Sequence, residues 1–220
     1  MSAQGTGVTS CRVKNAHAIN DTTDTNEPRL RLLTALSGLL ADKASADITV
    51  GDIVAQARVS KRTFYEQFAT KDDCLLALFE HLGDSTLALI AADYHPSDDL
   101  AEAIESVTRA YLLHLQGQPA LVRTLYTELL TIGAEGLAVR RRITQRFADF
   151  LIHQTELARL REPHKRPLPT ALATAAVGGV NELILQAIEE GRADRLVALT
   201  PAVTAFMQAV LQQPIAQVAA

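Results

Sequence analysis

The chain has 220 residues, a net charge of −4 and a composition of 48% hydrophobic and 21% charged residues, which are ordinary globular proportions. It contains no uninterrupted apolar run as long as a membrane span and no signal peptide, so a cytoplasmic protein without a membrane partner is expected. The acidic total charge argues against nonspecific coating of nucleic acid, although it leaves room for a local basic patch. Cys11 and Cys74 are expected to be free thiols, and the scattered histidines predict no metal or cofactor site.

The first 25 residues predict a flexible N-terminal arm, because they are rich in Ser, Thr, Asn, Asp and Gly and show no periodicity. Arg12 and Lys14 in this arm either touch nucleic acid or belong to an inert tail. Asn26 is the predicted N-cap of a first helix that carries Pro28 in its first turn and extends to about Ala41, with leucines recurring every three or four residues on one face.

Three further capping signals divide the next stretch into helices. Thr49 has the spacing of a capping box and opens a short second helix that ends near Ala57. Ser60 caps a third helix, and Thr70 repeats the capping pattern before a long fourth helix that extends to about Ala92. Because these caps bracket short segments with helical periodicity, they are stronger evidence together than any one of them is alone.

From Ser97 onward the sequence predicts longer helices joined by short turns, with Thr200 as the N-cap of the last one and Gly191 as the stop of the one before it. An exposed loop is predicted at 161–167. No strand is indicated, which predicts an all-α protein. The predicted helices lie near 98–116, 119–132, 136–160, 168–190 and 201–213.

The segment from Thr49 to Phe68 has the pattern of a helix-turn-helix. Its apolar residues predict a small core between two short helices, and Ala57 is small where those helices approach each other. The other face of the second helix carries donors suited to phosphate oxygens and base edges, and Lys71 adds a charge at the next helix N-terminus. The predicted core is Ile53, Val54, Ala57, Val59, Phe64 and Phe68, and the predicted DNA-facing residues of the second helix are Lys61, Arg62, Thr63 and Tyr65.

This segment resembles the N-terminal domain of the TetR family of transcriptional regulators, whose pattern is T…IA..AGVS.GTLY.HF.SKE.L. The match covers about residues 28 to 80 without a gap, and the rest of the chain matches only in helical layout. The resemblance implies an all-α fold with an N-terminal three-helix helix-turn-helix DNA-binding domain at 26–70. It also implies a C-terminal helical ligand-binding and dimerisation domain at 71–220, in which 71–93 is the connecting helix.

The resemblance implies that some of these residues hold phosphates and that others approach the major groove. Two simpler alternatives stay open: the Tyr65 ring packs on the first helix, and Lys61 is a solvated surface charge. The residues expected at phosphates are Thr49, Tyr65 and Lys71, and those expected at the groove are Lys61, Arg62 and Thr63, with the helix cap Ser60 beside them.

Three positions depart from the family pattern. Arg58 replaces the usual glycine of the turn, and if that position is left-handed here too, it costs roughly 1 kcal/mol. Arg62 replaces a frequent glycine at the front of the recognition helix and adds a donor that can read guanine. Gln67 stands where histidine is common, and little consequence is expected from this change.

A single helix-turn-helix reads only a few base pairs, so specific binding requires two copies at a fixed spacing. By resemblance, the last two long helices form a four-helix homodimer interface, although intramolecular packing also explains either of their apolar stripes. Small residues on one face of helix 168–190 permit close helix approach. These small residues are Ala171, Ala175, Gly178 and Gly179. The apolar stripe of helix 168–190 consists of Leu172, Ala176, Val180, Leu183 and Ala187. The apolar stripe of the last helix consists of Val203, Phe206, Met207, Val210 and Leu211.

The middle helices are expected to enclose a site for an unidentified small-molecule effector, although a phenylalanine stripe more often belongs to a core than to a pocket. Asn181 and Glu182 stand out because they interrupt an otherwise apolar helix, where a carboxylate needs a partner. The predicted pocket residues are Tyr111, His114, Tyr126, Phe147, Phe150, Asn181 and Glu182, with Leu115, Leu125, Leu129, Ile143 and Leu151 as apolar candidates and Glu128 and His153 as polar ones.

Together these features predict a dimeric repressor that a small molecule releases from a two-fold symmetric operator in double-stranded DNA. An enzyme is not expected, because the sequence has no nucleophile elbow, no HExxH motif and no close metal-ligand spacing. Two alternatives stay open: a DNA-binding protein without an effector, and a ligand-dependent activator. A cavity among the middle helices favours a ligand-responsive regulator, whereas a solid core there favours a DNA-binding protein without an effector.

Overall fold

The computed structural model describes residues 21–93, 100–162 and 166–212, and within these ranges every regular element is a helix, as predicted. The short 3-10 helices Ser45–Asp47 and Ala193–Leu199 were not expected from the sequence. The predicted arm residues 1–20 and the centre of the predicted loop, 163–165, lie outside the described residues. The α-helices are α1 (Asp21–Asp42), α2 (Val50–Ala57), α3 (Lys61–Gln67), α4 (Lys71–Asp93), α5 (Leu100–Gln116), α6 (Pro119–Glu128), α7 (Ala134–Arg161), α8 (Thr170–Glu189) and α9 (Thr200–Gln212).

The first helix differs most from its predicted bounds. It begins at Asp21, so the last five residues of the predicted arm are helical and Pro28 lies inside α1 instead of in its first turn. Helix α6 ends at Glu128, four residues before its predicted end.

Helices α1 to α4 share one hydrophobic core that continues into α6 and α7. Its fully buried centre includes Leu32 of α1, Ile53 of α2, Phe64 of α3 and Phe79 of α4. All the predicted helix-turn-helix core residues belong to it, with Val59 only partly buried. Leu129, which follows α6, lies in the same cluster. The packing therefore joins the helix-turn-helix to the helices behind it.

A second core joins α5, α6, α8 and α9 and is centred on Leu112, Val122, Ile184 and Leu196, which are fully buried. The 3-10 helix before α9 is tied to α5 because the Gln116 side-chain oxygen accepts a hydrogen bond from the Val197 backbone N–H at 3.0 Å. The apolar stripe predicted for α8 is largely buried here or against α7. These contacts position the walls of the cavities described below.

Two helices, Lys71–Ala92 and Thr170–Glu189, are long and apolar enough to cross a membrane by length and composition alone. Neither helix contains an uninterrupted apolar run as long as a membrane span, because polar residues interrupt both sequences. The buried share of the most apolar window is 50% in α4 and 39% in α8. Helices that contribute to a protein core have the same property, and both of these helices do so.

Candidate nucleic-acid interface and internal cavities

Helix α2 begins with a complete capping box, as the sequence predicts. The Thr49 hydroxyl accepts a hydrogen bond from the Asp52 backbone N–H at 3.2 Å. The Asp52 carboxylate accepts hydrogen bonds from the Thr49 backbone N–H and hydroxyl, at 2.8 and 2.6 Å. These hydrogen bonds lower the pKa of Asp52 below its usual value. The box defines the start of α2 and leaves Thr49 exposed at the surface.

The turn between α2 and α3 is held by an arginine that the sequence pattern did not identify. Arg58 adopts the left-handed conformation, with φ 55° and ψ 46°. Arg31 of α1 donates from Nη2 to the carbonyl oxygens of Ala57 at 2.6 Å and of Arg58 at 2.9 Å. Because carbonyl groups at a helix C-terminus lack intrahelical partners, Arg31 stabilises the end of α2 and ties the turn to α1.

Helix α3 presents a row of polar side chains to solvent. Its N-cap is Ser60, whose hydroxyl accepts a hydrogen bond from the Thr63 backbone N–H at 3.0 Å and lies 2.9 Å from the Thr63 hydroxyl. Lys61 and Arg62 are exposed, and Tyr65 is 58% exposed. This exposure favours a surface role for Tyr65 over packing on α1.

Arg62 is paired along the helix with Glu66, with Nε donating to Oε1 at 2.9 Å. The Arg62 side chain is 89% exposed and the Glu66 side chain is 54% exposed. An exposed pair at this spacing contributes little to stability, typically about 0.3–0.5 kcal/mol. The terminal guanidinium nitrogens of Arg62 are therefore available to another partner at small cost.

Lys71, at the start of α4, is half-buried and bonded within the protein. Its ammonium donates to the Ser45 carbonyl oxygen at 2.6 Å, which ties α4 to the turn after α1. An ammonium has three N–H donors, so this bond leaves two for a phosphate. Beside it, the Arg29 guanidinium lies 4.5 Å from the centroid of the Phe68 ring and holds the end of α3 against α1.

A chamber of about 90 Å³, partly open to solvent, lies between α4, α5, α7, α8 and α9, and we call it the inner chamber because of its apolar lining. Its lining is predominantly apolar, and the Tyr111 and Phe147 rings meet there with centroids 5.9 Å apart. Ile90 brings α4 to the chamber wall. The lining residues are Ile90, Val107, Thr108, Tyr111, Phe147, Phe150, Leu151, Val177, Val180, Asn181, Val203 and Met207.

An outer chamber, also of about 90 Å³, lies between α6, α7 and α8. It is more polar than the inner chamber, since Arg140 and Glu182 both line it. Asn181 lines both chambers and so marks their junction. The lining residues are Leu125, Tyr126, Leu129, Leu130, Arg140, Ile143, Thr144, Asn181, Glu182 and Leu185.

Two tyrosines meet at the junction of the chambers. The Tyr126 hydroxyl donates to Asn181 Oδ1 at 2.9 Å, and Tyr126 lies within hydrogen-bonding reach of Tyr111. Burial raises the pKa of Tyr111 to about 12 and holds the pKa of Tyr126 well above its usual value, while the charge of Arg140 acts in the opposite direction on Tyr126. Both phenols are therefore neutral at pH 7 and can donate hydrogen bonds.

The chambers collect six of the seven predicted pocket residues. Tyr111, Phe147 and Phe150 line the inner chamber, Tyr126 and Glu182 line the outer one, and Asn181 lines both. His114 lines neither chamber, and its buried Nε2 has no hydrogen-bond partner within the described part of the chain. Glu182 is exposed, so the buried position on which the expected need for a partner rested is not observed.

Arg140 and Thr144 were missed by the sequence reasoning. Thr144 precedes Phe147 by one turn of α7 and Arg140 precedes it by two, on the face that carries the predicted aromatic stripe. Extending that stripe toward the N-terminus of α7 at the same helical spacing reaches both residues. The remaining candidates have different surroundings. Three of them line the outer chamber and one lines the inner chamber, whereas Leu115 is buried in the second core and His153 is exposed. Those in the chambers are Leu125, Leu129 and Ile143 in the outer one and Leu151 in the inner one.

Helix α8 exposes small residues on the face opposite its packed side. Ala171, Ala175 and Gly178 are exposed, and a Cβ atom added to Gly178 has no neighbour within 4 Å among the described atoms. Gly179 differs, because a Cβ atom there would lie 2.8 Å from Cζ of Phe206 in α9. The four small residues predicted as one stripe thus separate into an open face and one internal contact between α8 and α9.

No three His, Cys, Asp or Glu side chains in the described ranges are grouped as metal ligands. Cys74 is a buried free thiol, as predicted, and burial raises its pKa to about 12. Cys11 lies outside the described residues.

Comparisons with known proteins agree with this geometry. Residues 32–78 match the family model of the bacterial regulatory proteins of the tetR family. No curated protein sequence matches the chain significantly. Solved structures similar to this chain include the transcriptional regulator FadR from Bacillus subtilis in complex with stearoyl-CoA, with 20% identity and a TM-score of 0.67, over 83% of this chain and 97% of that one.

The regulator of fatty acid degradation FadR from Bacillus halodurans is similar with 17% identity and a TM-score of 0.68, over 86% of this chain and 97% of that one. GusR from Salmonella enterica is similar with 15% identity and a TM-score of 0.66, over 89% of this chain and 99% of that one. At these identities the likeness establishes the fold across nearly the whole of each relative.

Proposed function

We propose that the chain is a member of the TetR family of bacterial transcriptional regulators, whose model matches residues 32–78, and that it is a dimeric repressor that leaves a two-fold symmetric operator when a small molecule binds. The observation that carries this proposal is the pair of chambers, both partly open to solvent, behind an exposed helix-turn-helix. A DNA-binding protein without an effector has no need of chambers, so their presence favours a ligand-responsive regulator.

We assign DNA contacts to the exposed side of α3 and to the N-termini beside it. Lys61, Arg62 and Thr63 read base edges in the major groove from the first turn of α3, beside the Ser60 cap. The phosphate contacts come from the exposed Tyr65 phenol and from the two N–H donors of Lys71 that remain beside its bond to Ser45. The Thr49 hydroxyl adds a third contact when its single proton turns from the Asp52 carboxylate to a phosphate oxygen. The DNA-binding unit extends over residues 26–70, with 71–93 as its connection to the effector-binding and dimerisation unit.

The second copy of the protein packs against the exposed faces of α8 and α9. Ala171, Ala175 and Gly178 let a partner helix approach closely, and the open space around Gly178 within one chain fits an intermolecular contact. Because one helix-turn-helix reads too few base pairs for specificity, the dimer sets the spacing between two copies of α3. This makes the operator two-fold symmetric.

Ligand occupancy is coupled to DNA binding through walls that the chambers share with the N-terminal helices. Ile90 of α4 lines the inner chamber, and Leu129 lines the outer chamber while it also belongs to the core that contains α1 to α4. A ligand that displaces either wall shifts α4 or α1 and changes the separation of the two recognition helices. The ligand thereby favours one of two conformations, and it releases the operator if that conformation does not fit DNA.

Helices α4 and α7 are held in register by two parallel ion pairs. Arg142 bonds to Glu80 and Arg146 bonds to Asp84, both at 2.7 Å and one helical turn apart on each helix. Between them, a Cβ atom at Gly83 would lie 3.3 Å from the Ile143 side chain, so the helices are in close contact. Exposed ion pairs contribute little to stability, so we assign them to the alignment of α7, which lines both chambers, with α4.

The likeness to FadR of Bacillus subtilis supports a ligand-binding role, because that protein was solved in complex with stearoyl-CoA. It shows that a structure of this fold holds a ligand with a long apolar chain. A regulator that binds operator DNA works in the bacterial cytoplasm, and we propose that location for this protein. Activation in place of repression is the alternative outcome, and it is distinguished by the direction in which the ligand changes DNA affinity.

Dimerisation is tested with Gly178→Arg, matched by Ala88→Arg, which adds the same charge at an exposed position of α4. Light scattering of the wild type and of Ala88→Arg is expected to give twice the 23.8 kDa chain mass. Gly178→Arg is expected to give the monomer mass with an unchanged circular dichroism spectrum. A dimeric Gly178→Arg variant would show that this face is not the interface.

Effector response is tested on DNA fragments that the full-length protein selects from a random pool. A panel of small molecules is added to the preformed complex, and the dissociation constant for DNA is measured by fluorescence anisotropy. A repressor gives at least one compound that weakens DNA binding in a saturable way and also raises the thermal midpoint of the free protein. Compounds that bind the protein without changing DNA affinity would contradict the proposed coupling.

A further inference from the structure

The two chambers are divided by a wall of three polar side chains. Asn181 lines both chambers, Tyr111 lines only the inner one and Tyr126 lines only the outer one. The Tyr126 hydroxyl donates to Asn181 Oδ1 at 2.9 Å across this wall. The bond occupies the amide oxygen, while the amide nitrogen of Asn181 has no hydrogen-bond partner in the described part of the chain. The wall therefore offers a free N–H donor at the point where the chambers meet.

The outer chamber adds further donors. Arg140 has no ion pair within the described ranges, and the Thr144 hydroxyl has no hydrogen bond there either. Both side chains come from one face of α7, one turn apart, and the Asn181 amide faces the same chamber from α8. This set of unengaged donors fits an acceptor-rich group such as a carboxylate, which accepts charge-assisted hydrogen bonds from a guanidinium.

Glu182 restricts the charge of what the outer chamber accepts. It lines that chamber with Arg140, yet the two side chains form no salt bridge. Arg140 attracts a carboxylate and Glu182 repels it, and Arg140 is the only cationic side chain among the lining residues of this chamber. The chamber therefore suits a single negative charge better than a dianion such as a phosphate monoester.

The inner chamber offers the complementary chemistry. Its walls are formed by aliphatic and aromatic side chains, with Thr108, Tyr111 and Asn181 as the polar exceptions. An apolar chain buried there gains roughly 0.8 kcal/mol for each CH₂ group removed from water. A charged group in the same place would lose its hydration without a charged partner.

From this arrangement we propose that the two chambers form one bipartite site for a monocarboxylate with an apolar tail. Arg140, Thr144 and the Asn181 amide hold the carboxylate in the outer chamber, and the tail enters the inner chamber once the Tyr126–Asn181 hydrogen bond opens. This inference rests on the proposed effector function and names the chemical class of the effector. Tyr126 acts as a length filter, because only a tail that spans both chambers must break its hydrogen bond.

The test uses decanoate, hexanoate and 1-decanol as probes and measures their binding to the full-length protein by isothermal titration calorimetry, without DNA. Arg140→Gln is expected to bind decanoate about tenfold more weakly, which corresponds to the loss of one charge-assisted hydrogen bond. Glu182→Gln is expected to bind it about two- to fivefold more tightly, because a like charge is removed. Neither variant is expected to change the binding of 1-decanol.

Tyr126→Phe tests the length filter. It leaves the ring in place and removes only the hydroxyl that donates to Asn181, so decanoate is expected to bind about three- to tenfold more tightly, with hexanoate unchanged. Equal changes for both chain lengths would show that the hydrogen bond does not divide the site. Opposite effects of Arg140→Gln and Glu182→Gln require a charge effect at the site, since nonspecific apolar binding would change with neither.

The proposal is overturned if the dissociation constant of decanoate is the same for the wild type, Arg140→Gln and Glu182→Gln. It is also overturned if the protein binds 1-decanol but does not bind decanoate. DNA release is measured in a separate experiment, so a failure of the proposed carboxylate site can be distinguished from a failure of the proposed effector function. Decanoate that binds as described but leaves the operator complex intact would sustain the bipartite site and contradict the effector function. Release of the operator by another compound without decanoate binding would contradict the carboxylate site and leave the effector function standing.

Discussion

Arg58 stands at a left-handed position in the turn of the helix-turn-helix, and replacing it with glycine is expected to stabilise the protein. Its φ of 55° and ψ of 46° bring the Cβ atom close to the following carbonyl, a conformation that costs a non-glycine residue roughly 1–2 kcal/mol. Arg58→Gly removes that Cβ. The backbone hydrogen bonds of the turn, including those that Arg31 donates, do not involve the Arg58 side chain and remain.

The gain is partly offset because glycine makes the unfolded chain more flexible, which costs about 0.4–1 kcal/mol. The expected net stabilisation of Arg58→Gly is therefore about 0.5–1 kcal/mol. For a chain of this length a change of 1 kcal/mol shifts the thermal midpoint by about 2–4 °C. The midpoint of Arg58→Gly is thus expected to rise by about 1–4 °C.

Arg58→Ala is the matched control, because it removes the same charge and the same exposed side chain but keeps the Cβ atom. Its thermal midpoint, measured by circular dichroism beside Arg58→Gly and the wild type, is expected to stay close to that of the wild type. If Arg58→Ala stabilises the protein as much as Arg58→Gly does, the left-handed backbone is not the source of the gain and the reasoning is refuted.

Neighbouring glycines of α8 are expected to respond through different contacts. Gly178→Ala should raise the dimer dissociation constant measured by sedimentation, because its new methyl group has no neighbour within the chain and enters the face on which the partner helix is proposed to pack. Gly179→Ala should lower the thermal midpoint, because its Cβ would lie 2.8 Å from the ring of Phe206 and overpacking typically costs about 1–3 kcal/mol. Burial raises the pKa of the Cys74 thiol to about 12, so this thiol should react with a thiol reagent at pH 8 only after the protein unfolds. This is measured in a Cys11→Ser background, and fast labelling of the folded protein would contradict the buried thiol.

The helix-turn-helix was the most predictable part of the molecule because its determinants are local. The Thr49 capping box and the Ser60 cap each join residues three positions apart, and the structure contains both. The bonds that hold the turn to α1 were not predicted. Arg31 meets the carbonyl of Ala57 across 26 residues of sequence, and Lys71 meets Ser45 across the same separation. Spacing rules carry no information about contacts of this range.

The chambers were predicted as a set of residues but not as two spaces. Aromatic and polar periodicity on α7 and α8 pointed to Phe147 and Asn181, because those residues stand out within one helix. The division into chambers depends on the bond between Tyr126 and Asn181, whose helices come together only through tertiary packing. His114 differs, because it lies on α5, a helix that contributes to the inner chamber, and yet lines neither chamber.

The central claim, that α3 reads a two-fold symmetric operator, is tested most directly by sequencing the DNA fragments that the full-length protein selects from a random pool. The wild type is expected to enrich one site with two-fold symmetry. Tyr65→Ala should weaken binding to all sequences without changing that site, and Arg62→Ala should alter the base preference at one position in each half-site. Enrichment of no symmetric site, or identical effects of the two substitutions, would contradict the account.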